Sequence, residues 1–371
     1  MQTALQVFVG IVGVWLIGIT LWEAFETIIL PRRINRDLRF TRLFYRSTWA
    51  WWRMVARRLR QRHEMWLSVY GPLSLLALLA LWALGLIVGF ALLQWGLGSR
   101  VYGEGNASGF GSDLYVSGTT FFTIGLGDVT PHTSFARFLI VLEGGTGFGF
   151  LGLVITYLPV IYQAFSRREV QINLLDARCG SPPCGAELLR RIGRCERSAT
   201  SFTDDLTPIL EGWEVWCAEL LEGTFSYPAL TYFRSQHENQ SWISTLTAIM
   251  DACALLMATV EGMSDWRVRI TFGIARHAAV DVAQYIKAKP VRPNPDRLPP
   301  ADYAALTTLL AENGLSLRQT ADTEARLAAL RFLYEPFMNG LAVRLVLDLP
   351  EWLPDPDAKD NWETTAWDNV Y

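Results

Sequence analysis

The chain has 371 residues, of which 51% are hydrophobic and only 19% are charged, a small charged fraction for a soluble protein of this length. Three long apolar runs precede residue 166, and none of similar length follows. The net charge of −3 hides one strongly basic stretch, which lies between two of the apolar runs. This composition favours a membrane-embedded first part and a soluble second part, and it argues against a nucleic-acid-binding protein.

The first apolar run, Ala4 to Leu30, is long enough to cross about 30 Å of hydrocarbon. It lacks the basic start and small-residue cleavage site of a signal peptide, so we expect it to be retained. Residues 1–33 are therefore predicted to form the first transmembrane helix. Glu23 and Glu26 share one helix face near its end, where pairing with nearby arginines is a simpler interpretation than a functional site within the span.

Residues 34–66 are predicted to form a basic amphipathic segment on the cytoplasmic surface of the membrane. The stretch 31–65 contains eleven arginines, no lysine and only two acidic residues. Apolar side chains that can enter the headgroup region lie between the arginines, namely Leu38, Phe40, Leu43, Phe44, Trp49, Trp51, Trp52, Val55 and Trp66. Because anionic headgroups attract polybasic segments, membrane lipids are the expected partners of the arginines between positions 32 and 62.

The second span, Gly71 to Leu97, contains no charged residue and is expected to be a lipid-facing outer helix. The glycine-rich, polar stretch Ser99–Gly111 that follows is predicted to be a surface loop. Ser112 and Asp113 can cap a short helix, which we expect to end near Phe122.

After the short helix comes the sequence Thr119-Thr-Phe-Phe-Thr-Ile-Gly-Leu-Gly-Asp128. Gly125 and Gly127 alternate with side-chain-bearing residues, and glycine reaches backbone conformations that are costly for other residues. Such a run can turn successive carbonyl oxygens to one side, with the Thr123 hydroxyl below them. Four copies around an axis would form stacked rings of oxygens that replace the hydration shell of a potassium ion.

This stretch resembles the signature sequence of the potassium-channel superfamily, Thr-x-x-Thr-x-Gly-Tyr-Gly-Asp, and the matching positions are Thr120, Thr123, Gly125, Gly127 and Asp128. The resemblance covers residues 71–165 and implies a homotetrameric, potassium-selective channel that is not an enzyme. Leu126 replaces the usual tyrosine, as in some filters of the two-pore-domain potassium channels. A weakly selective cation channel is therefore an alternative.

The resemblance also implies roles for individual residues. The selectivity filter would comprise Thr123, Ile124, Gly125, Leu126 and Gly127, with transported K+ at the first four positions and no other cofactor. Thr120, Tyr115, Asp128 and Glu143 are expected to support the filter. We expect Tyr115 to donate a hydrogen bond of about 2.5–2.7 Å to Asp128, and Glu143 to brace the short helix or the filter from behind.

The third span, Phe135 to Phe165, is expected to be the inner helix. It has five closely spaced glycines, more than helix stability favours, and two explanations are open: close helix packing or a gating hinge. Pro159 lacks an amide hydrogen and is predicted to kink the helix. The expected hinge positions are Gly144, Gly145, Gly147, Gly149 and Pro159.

The arginines of the basic segment also predict the orientation in the membrane. By the positive-inside rule that segment is cytoplasmic, so the N-terminus is outside and the domain after the third span is cytoplasmic. Residues 67–165 form the predicted pore module of outer helix, pore helix, filter and inner helix, and its pore loop then enters from outside, as the resemblance requires. Arginine outnumbers lysine thirty to three, which suits a GC-rich bacterial genome and therefore a bacterial inner membrane.

Residues 166–371 carry 20 basic and 28 acidic residues and are predicted to form an all-helical cytoplasmic domain. Helical periodicity covers Thr200–Gly223, Ser241–Gly262, Trp266–Ile286, Pro300–Leu315 and Asp322–Leu347. No dinucleotide-binding fingerprint is present in the sequence, so a cytoplasmic ligand, if the domain has one, is of unidentified chemistry. The fold class predicted for the whole chain is an all-α membrane protein with three transmembrane helices, one re-entrant pore loop per subunit and a helical cytoplasmic domain.

No arrangement of a nucleophile and a base in this domain predicts catalysis. His277 with Asp281, and His237 with Glu238, are pairs that could bind a metal, but a structural role is the simpler interpretation. The five cysteines match no zinc-binding spacing, and their odd number argues against a disulfide framework. Two further alternatives to a channel are a potassium-transporter subunit and a non-conducting membrane receptor or scaffold.

Overall fold

The computed structural model describes residues 2–30, 40–58, 63–98, 101–103, 109–195, 199–235, 240–262, 265–318, 320, 322–354 and 363. Its residues divide into two compact units, Met1–Gln163 and Ala164–Tyr371. Apart from one short two-stranded ribbon, the regular elements of the described part are helices. The predicted all-α fold is confirmed.

The first unit is built on five helices. They are α1 (Gln2–Ile28), α2 (Phe40–Arg58), α3 (His63–Gly96), α4 (Phe110–Phe121) and α5 (Ser134–Cys179), the last of which continues beyond this unit. Within the described residues, three helices are long and apolar enough to cross a membrane: Ala4–Ile28, Glu64–Gly96 and Ser134–Cys179. The three predicted spans are therefore confirmed.

Both later spans belong to longer helices than the sequence suggested. Helix α3 begins at His63 rather than Gly71, because the aromatic residues before Gly71 continue its periodicity and pack against α2. Helix α5 runs through Pro159 to Cys179 rather than ending near Phe165. An apolar run identifies only the part of a helix that can lie in the hydrocarbon of the bilayer. It therefore underestimates the length of a helix that continues beyond the bilayer.

The region before the short helix also differs from expectation. Val101–Gly103 (β1), predicted to be part of a loop, pairs antiparallel with Val129–Pro131 (β2). Helix α4 begins at Phe110, with Gly109 at its N-cap and no side-chain capping bond. The predicted cap at Ser112 and Asp113 was therefore wrong, and the buried Asp113 lies inside the first turn, where the helix dipole favours a negative side chain.

Helices α1 and α3 pack backbone to backbone along a seam of small residues. A Cβ atom on Gly13 would lie 2.7 Å from the Gly89 carbonyl oxygen, and one on Gly96 would overlap the backbone of Gly10. Lipid tails are as apolar as leucine, so helices in a membrane associate by such close packing rather than by the hydrophobic effect. Helix α1 covers one side of α3, which we expected to be a lipid-facing outer helix, while Leu73, Leu76 and Leu84 on α3 remain exposed.

Helix α2 is held by both neighbouring spans. The carboxylate of Glu23 accepts hydrogen bonds from the Phe40 amide (3.1 Å) and from the amide and hydroxyl of Thr41 (3.2 and 2.8 Å). Glu23 therefore caps the first turn of α2, whereas we had expected it to pair with an arginine. Glu26 accepts a hydrogen bond from the Trp22 indole at 2.8 Å.

An aromatic cluster joins α2 to the start of α3. The Trp52 indole donates to the Trp66 carbonyl at 2.8 Å, and the Trp49 and Tyr70 rings lie 4.8 Å apart. The Tyr70 hydroxyl is 2.9 Å from that of Thr48. Trp49 and Trp52, which we expected to enter lipid, are instead used for this packing. Leu38 and the arginines at 32, 33, 36, 39, 60 and 62 lie outside the described residues.

The second unit contains the end of α5 and seven further α-helices among its described residues. They are α6 (Gly185–Cys195), α7 (Ala199–Ser226), α8 (Trp242–Ala258), α9 (Asp265–Tyr285), α10 (Pro300–Glu312), α11 (Thr323–Phe332) and α12 (Glu335–Leu345), with a 3-10 helix at Pro228–Tyr232. Helix α6 was not predicted. The predicted helix Asp322–Leu347 is two helices, because Pro336 cannot donate the amide bond that would continue α11.

Helix α8 forms the centre of this unit, since all seventeen of its residues are buried. Gly185 at the start of α6 approaches it so closely that a Cβ atom would lie 2.7 Å from the Ala248 carbonyl oxygen. A helix that is buried on every side requires cover from several neighbours. The second unit therefore has one core, organised around α8.

A buried cluster of charges fixes α8 against the C-terminal helices. Arg297 forms ion pairs with Asp251 of α8 (2.7 Å) and Glu335 of α12 (2.9 Å), and Arg331 pairs with the same glutamate at 3.1 Å. Both guanidinium groups stack on the Trp352 ring, at 5.6 and 5.5 Å. Each buried charge has a partner, which is the condition for keeping charges out of water.

Removal of one partner should therefore destabilise this unit strongly. We expect Arg297→Ala to lower the free energy of unfolding by about 3–5 kcal/mol, because the buried Asp251 loses its counter-charge and Glu335 keeps only Arg331. Thermal unfolding of the full chain in detergent measures the effect. Arg326→Ala, at an exposed position of α11, should change it by less than about 0.5 kcal/mol. Equal effects of the two substitutions would contradict the role given to the cluster.

Candidate functional site

The residues that follow α4 are tied to its C-terminal end. The amide of Thr123 donates to the Thr120 carbonyl at 3.0 Å, and the amides of Ile124 and Gly125 donate to the Thr119 carbonyl at 2.7 and 3.4 Å. These bonds satisfy carbonyl groups that a helix end leaves unpaired. The segment is therefore positioned by its own amides.

The backbone of this segment alternates between two conformations. Thr123, Gly125 and Gly127 have φ angles of 57°, 58° and 79°, while Ile124 and Leu126 keep negative φ angles. In a strand, successive carbonyl groups point to opposite sides, and this alternation is a way to turn them to the same side. The conformation costs glycine little, but for Thr123 it costs about 1–2 kcal/mol, so the surrounding contacts must hold it.

The carbonyl oxygens of Thr123–Gly127 accept no hydrogen bond from any residue in the described part of the chain. All five residues are exposed in the single chain, and the Ile124 and Leu126 side chains are 58% and 65% exposed. Unpaired carbonyls are expensive in an apolar environment unless something else binds them. A dehydrated cation is the ligand that such oxygens suit.

The expected bond at the end of the segment is present. The Tyr115 hydroxyl on α4 donates to the Asp128 carboxylate at 2.9 Å, somewhat longer than we predicted. It joins the middle of the short helix to the residue that follows Gly127. The segment is thus attached to α4 at both ends, by backbone bonds at Thr119 and Thr120 and by this side-chain bond at Asp128.

Glu143 on α5 lies behind α4 and is fully buried. One of its carboxyl oxygens accepts a hydrogen bond from the Gln94 amide of α3 at 3.0 Å, and the other contacts the Ser117 hydroxyl of α4. This carboxyl group therefore connects all three helices around the segment. We did not anticipate Ser117 or Gln94, although a glutamine in a charge-free span is a detectable signal.

Hydrogen atoms can be counted at this contact. Ser117 has one hydroxyl proton, but its oxygen contacts both Glu143 and the Ile87 carbonyl, the latter at 2.7 Å. The carbonyl can only accept. If Glu143 is a carboxylic acid, it donates its proton to the Ser117 oxygen, and the Ser117 hydroxyl donates to the Ile87 carbonyl. If Glu143 is a carboxylate, one of the two contacts has an acceptor on both sides and no proton between them.

The glycines of α5 differ in their surroundings. A Cβ atom on Gly147 would overlap the Phe121 carbonyl at the end of α4, so this glycine serves close packing. A Cβ on Gly144 would be in ordinary contact with Thr120, at 3.7 Å. Added Cβ atoms on Gly145, Gly149 and Gly152 would have nothing within 4 Å in the single chain. Close packing therefore explains Gly147 without any hinge.

The other predicted candidates do not form a site. His277 and Asp281 approach to 3.5 Å, and the described residues contain no group of three metal-binding side chains. His237 and Glu238 lie outside the described residues. Cys179, Cys184, Cys217 and Cys253 are buried free thiols. Burial raises the pKa of the Cys217 and Cys253 thiols, which disfavours the reactive thiolate.

Two substitutions of Glu143 should show whether its hydrogen bonds or its charge stabilise the first unit. Glu143→Gln keeps a donor for Ser117 and an acceptor for Gln94, so we expect stability within about 1 kcal/mol of the native chain. Glu143→Ala removes the bonds to Ser117 and Gln94 and leaves a cavity, which should cost about 2–5 kcal/mol. Thermal unfolding in detergent measures both, with the exposed Thr156→Ala on the same helix as a control. A glutamine variant as unstable as the alanine variant would contradict this assignment.

Comparison with known proteins gives one match. Residues 77–163, from within α3 to the end of the first unit, match a family model described as ion channel. No curated protein and no solved structure matches the chain significantly. The matched region contains α4, the segment Thr123–Gly127 and Glu143. With three helices long and apolar enough to span a membrane, the chain is a multi-pass membrane protein that carries an ion-channel domain.

Proposed function

We propose that the chain forms a homotetrameric, potassium-selective channel in a bacterial inner membrane, and that K+ passes along the carbonyl oxygens of Thr123–Gly127. The observation that carries this proposal is the alternating left-handed backbone at Thr123, Gly125 and Gly127, together with carbonyl oxygens left without donors. We infer transport rather than catalysis, and K+ is the cargo rather than a resident cofactor.

Four subunits are proposed because one chain supplies only part of an oxygen ring. Closed symmetry completes such rings with identical chains. The exposed face of α5 supports this arrangement, since Val141, Phe148 and Ile155 are 74%, 73% and 70% exposed in one chain. Neighbouring subunits would cover part of this face, and the C-terminal end of α4 would direct its negative partial charge towards the ion path.

We further propose that the second unit controls the pore through α5. Arg168, on the part of α5 that belongs to this unit, is buried and donates to the Leu230 and Phe233 carbonyls, both at 2.8 Å. The Trp216 indole donates to the Arg168 carbonyl at 3.1 Å. A helix held this firmly would move with the domain that holds it, so rearrangement of the unit would act on α5. The second unit would be cytoplasmic and the N-terminus outside, as the positive-inside rule predicts.

Leu126 supports one alternative, a weakly selective cation channel. The position has a leucine in place of the tyrosine found in the family signature, and its side chain is 65% exposed in the single chain. Reversal potentials of the full chain in liposomes with K+ on one side and Na+ on the other distinguish the two proposals. A reversal potential near zero would favour the weakly selective channel.

The filter can be tested at Gly125. Gly125→Ala forces alanine into a left-handed conformation, which costs about 1–2 kcal/mol, and the carbonyl should turn away from the ion path. We expect K+ flux into liposomes to fall at least tenfold while the tetramer is retained. The matched control is Gly98→Ala: Gly98 has a φ of 66° and open space around it but lies outside the filter. Equal flux from the two variants would remove the reason to place the filter here.

Control by the second unit can be tested at Arg168. Arg168→Met keeps an unbranched but shorter side chain, and it removes both carbonyl bonds and the ion pair with Glu169. We expect the open–closed equilibrium to change by about fivefold or more, in the range of typical coupling energies, with unchanged ion selectivity. Single-channel recording measures both quantities. Arg167→Met, at the exposed neighbouring position, is the control, and an open probability unaffected by Arg168→Met would count against coupling through α5.

A further inference from the structure

Helix α2 lies at the edge of the membrane-spanning part of the first unit. Gly10 faces Gly96 and Thr20 faces Gly85 across the seam, so α1 and α3 are antiparallel. The end of α1 and the start of α3 are therefore on the same side. Helix α2 is bonded to both at that side, through Glu23 and Trp66. If α1 and α3 cross the membrane, α2 lies at its boundary with water.

The surface of α2 has three distinct faces. Thr41, Tyr45, Trp49 and Ala56 form the buried face. Arg42, Arg46, Arg53 and Arg57 recur at helical spacing and form a second face, on which Arg46 and Arg57 are exposed. The third face is open and mostly apolar: Phe40, Leu43, Trp51 and Met54 are 43%, 60%, 60% and 56% exposed, and the exposed Ser47 and Arg58 lie among them. We call the second the arginine face and the third the apolar face.

The two open faces lie side by side, since Arg42 precedes Leu43 and Arg53 precedes Met54 in the helix. In water, the apolar face would be a costly exposed patch. Guanidinium groups match the geometry of phosphate oxygens and bind them with paired hydrogen bonds. A partner must therefore offer hydrocarbon next to anionic oxygen. An anionic phospholipid at the membrane boundary has both, whereas a second copy of α2 would bring like charges together.

We propose that α2 binds anionic phospholipid and transmits its occupancy to the pore. The headgroup phosphate is held by the arginine face, and the acyl chains cover the apolar face. Because Glu23 and the aromatic cluster attach α2 to α1 and α3, a shift of α2 moves the helix that carries Gln94, the partner of Glu143 behind the filter. The transmission rests on the proposed channel function, and the lipid site does not.

Direct binding is the first measurement. Native mass spectrometry of the full chain in detergent, titrated with phosphatidylglycerol or phosphatidylcholine, should show preference for phosphatidylglycerol. We expect Arg46→Gln with Arg57→Gln to weaken phosphatidylglycerol binding about thirtyfold. The charge-preserving pair Arg46→Lys and Arg57→Lys should keep most of it. The control pair Arg178→Gln and Arg326→Gln, exposed on α5 and α11, removes the same charge and should have little effect.

Flux is the second measurement. In vesicles of phosphatidylcholine with increasing phosphatidylglycerol, K+ flux of the native chain should rise or fall with the anionic fraction, and the Arg46/Arg57 glutamine pair should lose this dependence. Unchanged binding in that pair, or equal loss in the control pair, would overturn the lipid site and would favour an acidic protein surface as the partner. Selective binding with no flux in any vesicle would support the lipid site and instead count against the channel. Lost binding with unchanged lipid dependence of flux would overturn the transmission.

Discussion

The structure of the first unit depends on one constraint: five consecutive carbonyl oxygens, from Thr123 to Gly127, are left without protein donors in the described part of the chain. In an apolar environment each unpaired backbone group costs free energy. These five residues are exposed in the single chain, so water or a cation can replace the missing donors, while other contacts must hold the left-handed backbone. Its amides are therefore bonded back to α4, Asp128 is held by Tyr115, and α5 supports α4 through Gly147 and Glu143.

The first unit uses different forces at different depths. Along the α1–α3 seam the hydrophobic effect cannot drive association, because lipid tails are as apolar as the helix side chains. Glycines there let the two backbones pack in direct contact. Around Glu143, buried polar groups satisfy one another and specify how α3, α4 and α5 fit together, which an apolar contact would do less strictly. At the boundary, Glu23 caps α2 and tryptophans cover its base. The charged Arg297 cluster belongs to the second unit, where it joins α8 to α12.

The sequence was sufficient for features encoded locally. The three spans follow from apolar length, and the left-handed backbone at Gly125 and Gly127 follows from glycine spacing. Contacts between distant residues could not be predicted. Glu23 is close in sequence to many arginines, and nothing local indicates that the chain turns back so that Thr41 can bind it. The periodicity of 322–347 is continuous, which hid the break between α11 and α12, although Pro336 was a visible signal. Helix α6 is short and basic, and its packing on α8 through Gly185 is visible only in three dimensions.

The glycines of α5 show that only some of the hinge positions expected from the potassium-channel resemblance are explained by packing within the chain. Gly147 is required because the Phe121 carbonyl occupies the space of a side chain, so its presence needs no gating motion. Cβ atoms added to Gly145, Gly149 and Gly152 would have no neighbour within 4 Å in one chain. Glycine inside a helix lowers its stability by up to about 1 kcal/mol relative to alanine. Packing within the chain does not account for that cost. In the proposed tetramer, either neighbouring subunits approach these positions or α5 bends at them, and each explanation gives the glycines a role beyond packing within one chain.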